Sequence, residues 1–201
     1  MKKICGLRFE DTPTKDSTVI DLGACCGDFS KQIVADYGCK VIAYEPSHAN
    51  LSKLKKVKGI EVVPCAVGLA AGKVKFYDYG KFSGSTLKRK NFKEAKPKHA
   101  TPYKLKSAYN VKQVAFAEVV KDGADLVKMD IEGAEWEILG GEEAEVLRKC
   151  KQITAEFHYA RFQGFDYGHA FAVKTALRLR NIGFKVTTYE GMNVLARRNN
   201  A

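Results

Sequence analysis

Four carboxylates crowd one short stretch of the chain, Leu126-Val-Lys-Met-Asp-Ile-Glu-Gly-Ala-Glu-Trp-Glu-Ile-Leu139. A brief apolar run ends at Asp130, Glu132 and Glu135 flank a Gly-Ala, and a helical pattern begins at Trp136. Acids delivered at the carboxyl end of a strand stand where open α/β sheets gather ligands and chemistry. A carboxylate held there can take the proton of a hydroxyl as that hydroxyl attacks an electrophile. Asp130 is the first candidate and Glu132 the second. The third is His158, just past another strand that also carries Glu156, and its ordinary pKa is near neutrality. Each has a plainer reading: Asp130 and Glu132 as caps of the following helix, Glu135 as a first-turn acid, His158 as a surface histidine. Asp130, Glu132, Glu156 and His158 also offer the donors that a hard divalent cation takes. Nothing in their spacing demands an ion, so the sequence reading is metal-free.

A second constellation lies upstream in Val19-Ile-Asp-Leu-Gly-Ala-Cys-Cys-Gly-Asp28. Glycines between a strand and a helix let the backbone turn tightly and approach a ligand, while the helix start offers free N–H groups. A dinucleotide loop needs Gly-x-Gly-x-x-Gly. Here Cys25 and Asp28 occupy the second and third glycine positions, so a pyrophosphate would meet side chains and a negative charge. An acid on the strand, Asp21, better suits a cationic ligand such as S-adenosylmethionine, with its ammonium and sulfonium. Glu45, 18 residues past Gly27 at the end of the next strand, is placed to accept from ribose hydroxyls. It could equally be an acid beside a helix start capped by Ser47.

The elements that would position these groups follow from the patterning. Strands are expected over Val19–Leu22, Lys40–Tyr44, Ile60–Val63, Lys73–Tyr77, Val111–Phe116, Ala124–Met129 and Gln152–Phe157. Helices are expected over Phe29–Tyr37, from Ser47 to about Val57, over Trp136–Cys150 with an interruption at Gly140-Gly141, and over Ala170–Ile182. Phe184–Thr188 and Asn193–Ala196 read as a terminal antiparallel pair. Strands alternating with helices imply parallel βαβ units. The expectation is an α/β fold: a mostly parallel seven-stranded sheet, helices on both faces and a C-terminal antiparallel hairpin.

With 201 residues, 45% hydrophobic and 28% charged, the chain is most naturally one domain, 1–201, able to bury a core without disulfides. No apolar stretch approaches the roughly 20 residues that span a bilayer. The N-terminus reaches Arg8 and Glu10 too soon for a secretory leader. The six cysteines form no Cys-x-x-Cys pair and read as mostly buried thiols in a reducing, cytoplasmic setting. The net charge of +11 is uneven: residues 81–112 hold ten Lys or Arg against Glu94 alone, with Phe82, Phe92, Tyr103 and Tyr109 interleaved. That segment is either a solvated insertion or a lid facing an acidic partner, such as a phosphorylated sugar, a nucleic acid or an anionic lipid. The stretch around Arg161, Phe162, Tyr167 and His169 has the composition of a binding surface or of a plain connection.

Several segments together carry a family resemblance. They are Val19 to Ser30, Val41-Ile-Ala-Tyr-Glu-Pro46, Cys65-Ala-Val-Gly68, Ser83-Gly-Ser-Thr-Leu87, Val127 to Trp136, and Glu156-Phe-His158. In order and spacing they resemble the FkbM-type methyltransferases over roughly residues 17–160. The Lys-x-Asp-x-Glu-Gly-Ala-Glu string is the most family-specific, while the glycine loop is shared by class I methyltransferases generally. Cys25 stands where that family's loop commonly carries Asn, and the segment before the first strand is unusually short. The resemblance implies a Rossmann-like class I methyltransferase fold and transfer of a methyl group from S-adenosylmethionine, with S-adenosylhomocysteine as product. The acceptor would be a hydroxyl of a sugar, glycan or natural product. It implies donor contacts from Asp21, Gly23, Ala24, Cys25, Gly27, Phe29, Glu45, Pro46, Ala66, Val67, Ser85 and Asp130, with Cys65 to Val67 beside the adenine. Chemistry would fall to Asp130, Glu132 and His158. Two other readings stand beside it. One is a nucleic-acid methyltransferase acting on ribose hydroxyls through the basic segment. Base nitrogens are disfavoured, because Asp130-Ile-Glu-Gly lacks the Asn/Asp-Pro-Pro-aromatic string. The other is a protein that binds the donor without catalysis.

Overall fold

The computed structural model describes residues 1–79, 105–158, 169–189 and 193–198. Most of the basic segment, Ser83, Ser85 and Thr86, and the stretch from Arg161 to Tyr167 lie outside the described residues.

The chain opens with a hairpin of β1 (Lys2–Ile4) and β2 (Leu7–Phe9), then runs β3 (Thr18–Leu22), α1 (Asp28–Tyr37), β4 (Lys40–Tyr44), α2 (His48–Leu54) and β5 (Ile60–Val63). Next come β6 (Ala66–Gly68), β7 (Gly72–Asp78), β8 (Ser107–Ala115), α3 (Phe116–Val119), β9 (Ala124–Met129), α4 (Glu135–Gly141) and α5 (Ala144–Leu147). The described chain closes with β10 (Cys150–Ala155), α6 (His169–Asn181), β11 (Phe184–Tyr189) and β12 (Asn193–Arg198).

Seven strands form the main sheet in the order β5-β4-β3-β9-β10-β12-β11. The pairs among β5, β4, β3, β9 and β10 are parallel, and β12 runs antiparallel to both β10 and β11. The central strands β3, β9 and β10 are buried almost throughout, as a sheet covered on both faces requires. The edge strand β11 alternates instead. A smaller sheet, β6-β8-β7, leads into the basic segment.

Two features of this topology make the site. From β3 the chain moves to β4 and β5 on one side, then returns to β9 on the other, so the strand order reverses between β3 and β9. Ligands bind outside the carboxyl ends of strands at such a switch point. The register also brings the strand ends level: Leu22 pairs with Tyr44 and with Met129, and Met129 pairs with Ala155. Their successors Gly23, Glu45, Asp130 and Glu156 therefore stand along one rim.

The core gathers around Trp136, which is fully buried and packs on Phe157 (ring centroids 4.2 Å apart) and edge-on to Phe171 (5.4 Å). A second cluster, of Ile4, Phe9, Val19, Phe29 and Ile33, seats the N-terminal hairpin and α1 on the opposite side.

The structure refines several expectations. The helix expected over Trp136–Cys150 is α4 and α5, broken at the extended Glu142, and Cys150 already begins β10. Phe116 starts a helix rather than ending a strand, because its fully buried ring turns into the core. The β1–β2 hairpin was not anticipated. Its turn holds Cys5 and Gly6 at φ of 48° and 84°, a left-handed pair that Asn-Gly would have signalled. Cys39, Cys65 and Cys150 are buried, but Cys5 is exposed and Cys25 and Cys26 are partly exposed. Among the described residues no helix is long and apolar enough to cross a membrane.

Candidate active site

The glycine loop leaves β3 in a left-handed turn. Gly23 has φ 74°, and a Cβ there would lie 1.9 Å from the carbonyl oxygen of Asp130, so only glycine lets the loop lie against the end of β9. Gly27, φ 91°, caps α1 where a Cβ would meet Leu54 and Val57 at 2.8 Å. Between them Cys25 is also left-handed, at φ 52°, a conformation costly for most side chains and best tolerated, after glycine, by Asn and Asp. The Asn common at this position in the resembling family suits that backbone; Cys25 does not. Burial, then the neighbouring Cys26 and Glu45, push the Cys25 thiol up to about 12, so it is no thiolate nucleophile.

Two buried acids hold this loop. Asp21 is fully buried; its Oδ2 accepts from Ser30 Oγ at 2.6 Å and its Oδ1 faces Lys128 Nζ at 3.1 Å. Lys128, itself 4% exposed, also donates to the carbonyls of Gly23 (2.7 Å) and Leu22 (3.3 Å) and lies 3.7 Å from Asp130 Oδ2. Burial opposes its charge, but Asp21 and Asp130 more than offset that and hold the ammonium's pKa above its usual value. Glu45 is 4% exposed; Oε2 accepts from the Cys25 N–H (2.7 Å) and Oε1 from the Ser47 N–H (2.8 Å). Burial raises its pKa to about 7 despite these bonds. Ser47 also caps α2, its hydroxyl accepting from the Asn50 N–H.

The second half of the site is acidic. After β9 the chain turns through Glu132 (φ 56°) and Gly133 (φ 112°), which throws Asp130 and Glu132 toward the end of β10. A left-handed non-glycine residue of this kind is costly and clusters at functional positions. His158 sits among the acids: Nδ1 is 2.5 Å from Glu135 Oε1, and Nε2 is 3.6 Å from Asp130 Oδ1 and 3.8 Å from Glu132 Oε1. Trp136 Nε1 donates to the His158 carbonyl at 2.8 Å, so the core residue that anchors α4 also fixes this histidine's backbone. Glu135 is fully buried, and its Oε2 accepts from the Gly133 N–H at 2.6 Å. Burial favours the neutral forms of both Glu135 and His158. The charge of Glu135 and its hydrogen bond to Nδ1, with smaller additions from Glu132 and Asp130, decide for the imidazolium, whose pKa rises to about 10. Burial and the same acids push the Glu156 carboxyl upward.

The structure thus brings Asp21, Gly23, Cys25, Gly27, Glu45, Asp130, Glu132 and His158 to one rim. Ala24, Phe29, Ala66 and Val67 are buried in core clusters, so any ligand contact they make is through backbone or flank; Pro46 is partly exposed at the end of β4. Ser85 lies outside the described residues. Two participants had been passed over. Lys128 is a lysine inside the buried run Leu126-Val-Lys-Met129, and a charge there calls for a counter-charge. Glu135 occupies the first turn of α4 as expected, but its side chain holds His158.

The sheet order and these strand-end residues define a Rossmann-like class I methyltransferase fold. It is similar to that of a Methanococcus jannaschii fibrillarin pre-rRNA processing protein, at TM-score 0.51 and 14% identity over 98% of this chain and 72% of that one. It is likewise similar to that of an rRNA methylase from Streptococcus thermophilus, at TM-score 0.51 and 9% identity over 94% and 90%. Residues 21–186 match the methyltransferase FkbM domain, and the chain belongs to that family of methyltransferases. No curated protein matches the chain significantly.

Proposed function

We propose that the protein transfers a methyl group from S-adenosylmethionine to a hydroxyl of a sugar, glycan or natural product. The observation that carries this reading is the single rim of strand ends, with a glycine loop and a ribose-type acid at β3 and β4 and proton-accepting acids at β9 and β10. The residues present fit the donor. Gly23 opens the backbone, and Glu45 Oε2, which accepts one bond from the Cys25 N–H, keeps a second lone pair for a ribose hydroxyl. When bound, the donor supplies a sulfonium-activated methyl carbon. Asp21 and Lys128 set the loop's shape, and Asp130, next to the loop, orients the donor or the hydroxyl. A poor oxygen nucleophile needs a base within hydrogen-bond reach. Asp130, with 35% of its side chain exposed, is the accessible carboxylate, and Glu132 is the alternate. His158 as an imidazolium holds these acids in place rather than receiving the proton.

The net charge of +11 favours one second reading, a ribose hydroxyl of a nucleic acid as acceptor. Incubation with methyl-labelled S-adenosylmethionine and separate panels of sugars, macrocycles and RNA tests both. Label in a sugar or macrocycle supports the first reading. Label in RNA alone, with binding that falls steeply as salt rises, replaces it with the second. Donor binding without label in any acceptor would favour a non-catalytic binder.

A further inference from the structure

We propose that Asp130, Glu156 and His158 form a binding site for one divalent cation of the manganese or magnesium type, on which the acceptor hydroxyl is held. Each residue offers one ligand atom, and these atoms lie within 4.8 Å of one another. Two donors on one ion at about 2.1 Å stand no more than about 4.2 Å apart. A side-chain adjustment of about half an ångström therefore closes the set around an ion.

The cluster is more than a group of acids, because it is built around a histidine oriented from behind. Glu135, fully buried, occupies Nδ1 at 2.5 Å, so Nε2 is the pole that faces the rim. Without an ion, Nε2 makes only the long ion pairs with Asp130 and Glu132, at 3.6 and 3.8 Å, and a bound ion takes the place of the Nε2 proton between the same carboxylates. A carboxylate fixing the far nitrogen is how metal-binding imidazoles are oriented. Local charge points the same way. Asp130, Glu132, Glu135 and Glu156 surround His158, and Asp130 also faces a Lys128 already shared with Asp21. This acidic excess sits in a chain of net charge +11. Two hard carboxylates and one imidazole suit Mn2+ and related ions better than a thiol-seeking metal.

The site rests on its own geometry; its role rests on the methyl-transfer reading. A bound ion lowers the pKa of a coordinated hydroxyl. With Asp130 engaged on the ion, the alternate acid Glu132, which the ligand set does not need, takes over as base: the O–H bond breaks, the proton passes to the Glu132 carboxylate, and the oxygen stays on the ion, ready for the methyl carbon. The sequence names these same donors without demanding an ion, and it is the pairing of β10 with β9 that brings Glu156 and His158 beside Asp130.

The test is Mn2+ titration of untagged, chelator-stripped full-length chain, with free Mn2+ read by electron paramagnetic resonance and bound Mn2+ by its pulsed form. The expected result is one Mn2+ per chain with nitrogen modulation from an imidazole. Glu156→Gln, at the partly exposed rim, weakens binding at least tenfold, and His158→Gln removes the nitrogen signal. Absence of saturable binding below millimolar Mn2+, binding unchanged in Glu156→Gln, or bound Mn2+ without nitrogen coupling overturns the site. Should His158→Gln fail to fold, the wild-type nitrogen signal and Glu156→Gln carry the test. Mn2+ bound in a chain that takes up no S-adenosylmethionine supports the site while sinking the methyl-transfer reading.

Discussion

The two halves of the rim are built on opposite electrostatic plans. At β3 and β4 the acids Asp21 and Glu45 are buried and matched with protein donors: Ser30 and Lys128 for one, the N–H groups of Cys25 and Ser47 for the other. At β9 and β10 the carboxylates outnumber the cations, Asp130 is open to solvent, and gaps of 3.6 and 3.8 Å separate His158 Nε2 from its neighbours. The first half is preorganised: its polar groups fix a backbone shape that a donor can enter. The second carries an excess of negative charge that an acceptor, a proton or a cation can answer. Substitutions should therefore affect shape and stability on one side and turnover on the other.

The largest expected effect falls on the acidic side. Asp130→Asn should lower kcat for methyl transfer by about 10²–10⁴-fold, the usual contribution of a positioned base, while leaving the unfolding midpoint near that of the parent. Loss of folding instead would make Asp130 a structural cap. On the other side Lys128→Met strands Asp21 in the core and should destabilise the fold by about 3–5 kcal/mol, as loss of one partner of a buried ion pair does. Denaturant unfolding of the double variant Asp21→Asn/Lys128→Met should recover most of that loss; additive losses would mean the pair does not interact.

The third expectation concerns pH. Glu45 has its pKa raised from 4.5 to about 7, so the folded state holds this proton more tightly than the unfolded chain. Its contribution to stability is then full below about 4.5 and is lost as pH rises through about 7. Donor binding runs the other way, since ribose hydroxyls need the carboxylate. Calorimetry should find S-adenosylmethionine about tenfold weaker at pH 6 than at its plateau above pH 8, with the slope gone in Glu45→Gln. A pH-independent affinity in the parent chain would remove Glu45 from the donor site. The smallest effect is expected at the loop: Cys25→Asn should stabilise the chain by about 1 kcal/mol, because Asn tolerates the left-handed backbone that Cys25 is forced to adopt. A destabilised variant would show that burial of the thiol outweighs the backbone.

Much of this was legible in the chain because the signals are local. Lys40–Tyr44, Ile60–Val63 and Ala124–Met129 read as strands to the residue, since each is a short, largely apolar run with turn residues at its ends. The acids and glycines at strand ends were equally visible, and the topology puts them where such residues bind ligands. What escaped depends on contacts across the fold. Glu135 looks like any first-turn acid until His158 arrives from β10, 23 residues on. Phe29 sits beside the loop in sequence and Val67 in β6 just past β5, yet their side chains belong to the core. The N-terminal hairpin is tied down by distant groups: Tyr189 Oη accepts from the Arg8 N–H at 2.7 Å, and Gln152 Oε1 accepts from the N–H groups of Glu10 and Asp11. Three residues per strand carry too little periodicity to announce it.

The central claim is that the β3–β4 half of the rim receives S-adenosylmethionine. The most direct measurement is calorimetric titration of the purified chain with S-adenosylmethionine and, in a parallel cell, with NAD. The account predicts saturable micromolar binding of S-adenosylmethionine, weakened by Glu45→Ala, and no binding of NAD. Binding of NAD, or an S-adenosylmethionine affinity that Glu45→Ala leaves untouched, would contradict it.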